Sequence, residues 1–329
     1  MVHMGEFELL ARIRERLPAN GPRIHLGSGD DAAVSVPAGA TATSVDALVD
    51  GVHFRRQLAS PAQIGHKALA TALSDLAAMG AEAGEAYVVL GLPPDFSEEE
   101  CIEMLDGMAA LASATGTALA GGDLSRAAEL FLAITVVGHS SDPQALVERG
   151  GAQPGDLLVL TGELGAAAAG LELLDDPALE ASLPAGSVAE LRARQLEPTP
   201  RLAAGRALAA SGATAMIDLS DGLGADAGHL AQRSGVGLQI EAEAVPLSAA
   251  AKALRAATGG DPWQLLNGGE DYELLASIPP ARLEQAIGAV DESEATALTQ
   301  VGQVLVGSGV EIRLPGGRPL EPGGFDQLA

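Results

Sequence analysis

The sequence predicts a layered α/β fold in two domains, and three observations carry that expectation. Strand-like alternation and helical periodicity follow one another along most of the chain. Its 329 residues exceed what one core ordinarily organises, and 47% of them are apolar. Turn formers crowd Gly150-Gly-Ala-Gln-Pro-Gly155, which places expected domains at 1–149 and 150–329.

In chain order, alternation and turn signals predict strands near 32–37, 40–49, 84–91, 117–120 and 130–138. One helix follows Pro61 and runs to Met79. Another follows Ser97, with Glu98, Glu99 and Glu100 suited to the positive end of its dipole. Past the boundary, a strand at 157–160 leads into an Ala-rich helix near 163–174. Helices near 199–211, 223–233 and 248–257 then alternate with strands near 214–218, 237–241, 273–277 and 300–306. Residues 175–198, acidic and proline-containing, read as a surface excursion.

Composition narrows the partners. Aromatic residues are only 2%, so the cores must be built from Ala, Leu and Val. A net charge of -25 excludes nucleic acid and anionic membranes, both of which need basic patches. A phosphate-bearing small molecule would need divalent cations between acid and acid. Cys101 is the single cysteine, which rules out an intramolecular disulfide and suits a reducing cytoplasm. No apolar run approaches the ~20 residues of a membrane span, and the N-terminus lacks a signal-type apolar core, so a soluble cytoplasmic protein is expected.

Chemistry is written in carboxylates beside glycine at the ends of apolar runs. Met216-Ile-Asp-Leu-Ser-Asp-Gly-Leu223 delivers Asp218 and Asp221 around a serine. Gly29-Asp-Asp31, Ser44-Val-Asp46, Leu73-Ser-Asp75, Gly121-Gly-Asp123 and Gly268-Gly-Glu-Asp271 repeat the pattern. On a wheel of about 100° per residue, Asp75 projects between Ile64 and Ala68, inside the edge of an apolar stripe. A carboxylate there needs a cation or strong donors, or else it caps a neighbouring loop. Alternation puts Ser44, Asp46 and Leu48 on one strand face, so hydroxyl and carboxylate oxygens point together, as Mg²⁺ requires; a solvated turn-flanking acid is the alternative. The Asp-Gly clusters at 29–31 and 121–123 read individually as tight turns, although Gly121 and Gly122 would also let a backbone approach a phosphate. Ser220 or Asp221 is placed to cap the next helix, which leaves Asp218 as the better metal ligand of that stretch.

Other chemistries lack their motifs. Gly27-Ser-Gly-Asp-Asp-Ala32 is a broken GxGxxG, and no GxxxxGK[ST] occurs. There is no HExxH, one cysteine cannot build a thiolate zinc site, and Ser220 lacks a GxSxG frame.

Taken in order, Gly29-Asp-Asp-Ala-Ala33, Asp46-Ala-Leu-Val-Asp-Gly-Val-His-Phe54, Lys67-Ala-Leu-Ala-Thr-Ala-Leu-Ser-Asp-Leu-Ala-Ala-Met-Gly80, Gly121-Gly-Asp123, Ile217-Asp-Leu-Ser-Asp-Gly-Leu223 and Gly268-Gly-Glu-Asp-Tyr-Glu-Leu274 resemble the bacterial thiamine-monophosphate kinase family. That family lies within the superfamily named for aminoimidazole ribonucleotide synthetase, and the resemblance spans roughly residues 5 to 326. It implies two α/β domains, the first pairing with its copy in a homodimer to form a shared β-barrel. It also implies ATP-dependent phosphorylation of thiamine monophosphate to thiamine diphosphate. Residue by residue, it casts Asp30, Ser44, Asp46, Asp75, Asp123, Asp218 and Asp221 as ligands of several Mg²⁺ ions. Gly122, Asp123, Arg149 and Ser220 are carried over as nucleotide contacts, and His53, Glu270 and Phe325 as substrate contacts. The chain departs from the pattern at Val45, where a hydroxyl residue is usual, at Thr115, where an aromatic often touches the nucleotide, and at Gly324-Phe-Asp-Gln, which lacks a His-Phe ending.

The expected mechanism has no general base, because a phosphomonoester with a second pKa near ~6 is largely ionised at neutral pH. Catalysis then rests on in-line positioning and metal charge neutralisation, with Asp46 and Asp123 expected to share one metal. His53 is expected to touch the substrate phosphate, against the alternative of a packing histidine at a strand end. The acids of both domains are expected to meet in the cleft between them. Two rival readings stand beside this one: another superfamily ATP-dependent enzyme such as aminoimidazole ribonucleotide synthetase, or a non-catalytic divalent-metal-binding protein. Selenophosphate synthesis is disfavoured by the lack of a Cys-Lys pair near the N-terminus.

Overall fold

The strictest alternation in the chain, Ala40–Val49, forms a strand whose even positions turn inward and whose odd positions face out. The computed structural model describes residues 6–16, 21–28, 32–294, 296–321 and 323–324, and divides into two compact units. Residues to Leu76 together with Glu82–Pro143 form the first; Ala77–Ala81 and the chain from Gln144 form the second.

In the first unit, helix α1 (Glu6–Arg16) precedes the short strands β1 (Ile24–Leu26) and β2 (Val34–Ser35). There follow β3 (Ala40–Val49), α2 (Pro61–Ala78), β4 (Glu82–Leu92), α3 (Glu98–Thr115), β5 (Ala118–Arg126) and β6 (Phe131–Ser140). The main sheet has the order β3-β6-β4-β5, with only the β4–β5 pair parallel. One face packs Leu132, Ile134 and Val136 into a core that also takes Leu69 and Leu73 from α2 and Met104 and Met108 from α3. The two helices approach closely through glycines: a Cβ at Gly65 would lie 1.8 Å from the Met104 carbonyl oxygen, and one at Gly107 2.0 Å from that of Ala62. Helix α3 starts at Ser97, whose hydroxyl accepts from the Glu100 amide while the Glu100 carboxylate accepts from the Ser97 amide.

Residues Gly121 and Gly122 lie inside β5, not in a turn. A side chain at Gly122 would meet the Val88 carbonyl oxygen at 2.0 Å, so the approach of β4 requires the glycine.

The second unit comprises β7 (Leu157–Thr161), α4 (Ala166–Asp175), α5 (Ala185–Leu196), α6 (Leu202–Ser211), β8 (Ala215–Asp218), α7 (Leu223–Ser234) and β9 (Gly237–Glu241). Helix α8 (Ala249–Thr258), β10 (Leu274–Ile278), α9 (Leu283–Glu294), β11 (Leu298–Leu305), β12 (Gly309–Arg313) and β13 (Pro319–Leu320) complete it. Its sheet runs β13-β12-β9-β11-β7-β10-β8, antiparallel except for β9–β12. Leu158, Leu160, Leu173, Leu230 and Leu275 are fully buried in an aliphatic core.

Residues 175–198 are not a mere excursion. They contain α5, whose Leu191 is wholly buried and whose Gln195 and Leu196 are nearly so. The charged exposed face of that helix hides its narrow inward stripe. Helix α9 has a similarly thin stripe, Ala286 and Val290, and periodicity did not predict it. Among the described residues, no helix is long and apolar enough to cross a membrane.

Candidate active site

Each unit carries its own acidic group. In the first, β3 turns Ser44 and Asp46 toward the side covered by Leu48, and α2 supplies the answering stripe of Lys67, Thr71 and Asp75 at i, i+4 and i+8. The Ser44 hydroxyl donates to the Asp75 carboxylate. Asp46 is hydrogen-bonded to the Thr71 side chain, yet burial and the neighbouring charge of Asp75 push its carboxyl up to about 6. Regular structure thus holds two like charges together out of bulk water.

Asp123 stands apart from this cluster. It lies exposed on β5 and accepts from the Ser125 hydroxyl at 3.2 Å. Strands β3 and β5 are opposite edges of the sheet, three strand spacings or ~14 Å apart, and register puts Gly122 on the row of Asp46 through Ile134 and Val88. Asp46 and Asp123 thus stand on opposite edge strands of one sheet. His53 lies in the turn after β3, where its Nδ1 accepts from the Val49 amide at 3.1 Å. Thr115 donates its hydroxyl to the Leu111 carbonyl at 2.9 Å, the usual back-bond of a threonine at a helix end.

In the second unit, two loops are laced together. The Leu219 amide donates to the Glu273 carbonyl at 2.8 Å, the Tyr272 amide to the Leu219 carbonyl at 2.9 Å, and the Glu270 amide to the Ser220 carbonyl at 2.8 Å. To make these bonds Glu270 and Tyr272 adopt φ of 68° and 50°, costly for residues with side chains. Gly269 is needed where the two loops meet, since a Cβ there would lie 2.4 Å from the Ser220 carbonyl oxygen.

The acids of these loops do different work. Asp226, from the first turn of α7, accepts from the amides of Asp221 and Gly222, each at 3.0 Å. Gly222 is the N-cap of α7 and no side chain caps it, so the expectation that Ser220 or Asp221 caps the helix is corrected. The loop bends its amides onto a later carboxylate instead. Burial holds Asp226 up to about 7, against those backbone bonds. Asp271 accepts from the Gly165 and Ala167 amides at 2.9 and 3.4 Å, capping α4 from a distance, and burial raises it to about 7. Glu273 is clamped by Arg201 at 2.6 and 2.8 Å, by Arg194 at 2.7 Å and by the Thr161 hydroxyl at 2.7 Å. Asp218 is buried at the end of β8, and Asp221, Asp226 and His229 bring one possible ligand atom each within 4.8 Å of one another. Arg149 is exposed ahead of β7. Asp30 and Phe325 lie outside the described residues.

The AIR synthase related protein N-terminal domain matches residues 29–140, and the corresponding C-terminal domain matches 153–315. A thiamine-monophosphate kinase of Mycobacterium tuberculosis (strain CDC 1551 / Oshkosh) is 40% identical over 282 residues, covering 83% of this chain and 80% of that protein. The chain belongs to the thiamine-monophosphate kinase family. The crystal structure of the thiamine-monophosphate kinase of Stenotrophomonas maltophilia K279a superposes with a TM-score of 0.83 at 37% identity, covering 96% of this chain and 98% of that one. A second family structure, AaThiL complexed with AMPPCP and TMP, gives 0.77 at 31% identity over 98% and 99% of the two chains.

For this thiamine-monophosphate kinase family member, residue reasoning missed Lys67 and Thr71 beside Asp75, Asp226 and His229 beside Asp221, and Arg194, Gln195 and Arg201 around the 268–273 loop. The first two carried a signal in the i, i+4, i+8 spacing on α2. Asp226 carried one as an acid in the first turn of α7. The residues around the 268–273 loop carried none, because their partners lie 72 to 79 positions away.

Proposed function

We propose that this protein transfers the γ-phosphoryl group of ATP to thiamine monophosphate, giving thiamine diphosphate and ADP. The observation that carries the reading is the Ser44–Asp46–Asp75 cluster, where burial and like charge create a demand for a cation within a kinase family. Its donors are all hard oxygens, the ligand type Mg²⁺ prefers. Asp30, Ser44, Asp46, Asp75, Asp123, Asp218 and Asp221 are the residues that would hold the ions. When bound, Mg²⁺ supplies charge neutralisation between two anionic reactants. The chain's own part is positioning: Gly122, Asp123, Arg149 and Ser220 toward the nucleotide, and His53, Glu270 and Phe325 toward thiamine monophosphate. No side chain takes a proton, since the accepting phosphate is already ionised. The relative AaThiL, complexed with AMPPCP and TMP, supports this pairing of ligands.

A homodimer belongs to the same reading. Val45 and Val89 share the sheet face turned away from the helices, at 64% and 37% exposure, which suits closure against a second copy into a barrel. A cytoplasmic setting belongs to the same reading and suits a single, buried Cys101.

Incubation with ATP, Mg²⁺ and thiamine monophosphate should yield thiamine diphosphate and ADP in equal amounts. ADP release with formylglycinamidine ribonucleotide and none with thiamine monophosphate would overturn the assignment.

A further inference from the structure

The last turn of α5 grips the 268–273 loop at two points. Arg194 pairs with Glu273 at 2.7 Å, and the Gln195 Nε2 donates to the Glu270 carboxylate at 2.6 Å. Gln195 is only 4% exposed, and its amide oxygen Oε1 is buried with no hydrogen-bond partner among the described residues. The orientation of this amide is not arbitrary. Reversed, it would set its oxygen against a carboxylate oxygen, so Glu270 dictates which end faces it. Folded proteins seldom leave a buried acceptor without a donor, and an exception asks for a water, an ion or a ligand to complete it. This exception adjoins Glu270, a residue held in the left-handed region at φ 68° by its bond to the Ser220 carbonyl. Strain of this kind persists where the surroundings impose it and clusters at ligand sites.

The chemistry of the missing partner is restricted. An amide oxygen beside a carboxylate repels phosphate and accepts an N–H. In thiamine monophosphate the N–H donors are confined to the exocyclic amine of the pyrimidine ring. We propose that Gln195 is a specificity-determining residue that holds Glu270 through Nε2 and accepts the aminopyrimidine N–H of the substrate at Oε1. The assignment rests on the substrate reading given above and adds the end of the molecule that is recognised there. Gln195 takes no part in phosphoryl transfer. It selects what is aligned for it.

The test compares thiamine monophosphate with oxythiamine monophosphate, in which a carbonyl oxygen replaces the amine. The wild-type protein should prefer the amine by at least ~10-fold in kcat/KM, the value of one hydrogen bond to a buried polar group. Gln195→Met, close in volume and compatible with a helix, should lose roughly ten-fold of that preference, raise the KM for thiamine monophosphate and leave the KM for ATP unchanged. A ratio of kcat/KM values does not depend on the fraction of protein folded, so misfolding cannot imitate the result. Gln195→Leu provides a second variant with the same expectation. Retention of the wild-type preference in both variants overturns the proposal while leaving the kinase reading intact. Absence of thiamine diphosphate from the wild-type reaction overturns the kinase reading itself, and with it the substrate on which this assignment rests.

Discussion

The two acidic groups are built by opposite means. In the first unit, a strand and a helix hold Ser44, Asp46 and Asp75 at positions set by regular hydrogen bonding, and the burial there raises the cost of charge. In the second, the loops at 218–222 and 268–273 are irregular and are shaped by acids of their own. Asp226 gathers amides, Asp271 caps α4, and Glu273 is neutralised by two arginines. A dense acidic motif is therefore not uniformly a ligand set. Asp226 and Asp271 are committed to holding backbone and Glu273 to its two arginines, whereas Asp46 and Asp75 set like charges against one another.

That contrast is most directly broken at Asp75. Asp75→Asn should lower turnover by at least roughly 100-fold, since a neutral amide cannot balance a divalent ion. Its urea midpoint should not fall, because a like-charge repulsion is removed. Coupled ADP release and equilibrium unfolding measure the two quantities, and near-normal turnover at saturating Mg²⁺ would sink the metal assignment. Arg201→Leu should behave in the reverse sense. Breaking one arm of a buried ion pair costs about 3–5 kcal/mol, and Arg194 and Thr161 remain to Glu273, so a loss of ~2–3 kcal/mol in urea unfolding is expected. If Arg201→Leu instead spares stability, the clamp is not what holds the 268–273 loop.

Much of the fold was legible because its signals are local. Strand 40–49 alternates without interruption, and the helix from Pro61 has a continuous apolar stripe, so both emerge within a residue of their observed ends. Ser44 and Asp46 needed only a period of two. The rest depended on partners far along the chain. Helix α5 was hidden because its inward stripe is interrupted by Gln195, a residue whose burial makes sense only beside Glu270. The glycines at 121 and 122 suggested a turn by composition, whereas the reason for Gly122 is the backbone of a neighbouring strand. That Asp46 and Asp123 lie on opposite edge strands follows from strand order, which no spacing in the sequence encodes.

A pH titration sharpens the comparison from the side of the second unit. Asp271 is raised from 3.8 to about 7 by burial, with the Gly165 and Ala167 amides and the charge of Arg194 pulling down and Glu273 pushing up. The folded state then binds the proton more tightly than the unfolded chain does. Its contribution to stability is fully present below pH ~4 and is lost as pH rises through 7. Relative to wild type, Asp271→Asn should flatten the fall in unfolding free energy between pH 5 and 8 by on the order of 2 kcal/mol. Parallel curves for the two proteins would show that the amides of α4 already stabilise the ionised form.

The smallest effect is expected at Ser220, and it separates a cap from a ligand contact. A serine that caps a helix loses about 1 kcal/mol on conversion to alanine. Here Gly222 is the N-cap, and the amides that a cap would have taken go to Asp226. Ser220→Ala should therefore leave the unfolding free energy within ~0.5 kcal/mol of wild type. Its carbonyl still accepts from the Glu270 amide, because that bond belongs to the backbone. If the hydroxyl serves the nucleotide, the KM for ATP should rise several-fold with the thiamine monophosphate KM unmoved. A loss of a full kcal/mol with unchanged ATP kinetics would return Ser220 to a structural role, and would make the second unit's loop acid-shaped throughout, with Asp218 and Asp221 its remaining candidates for a metal.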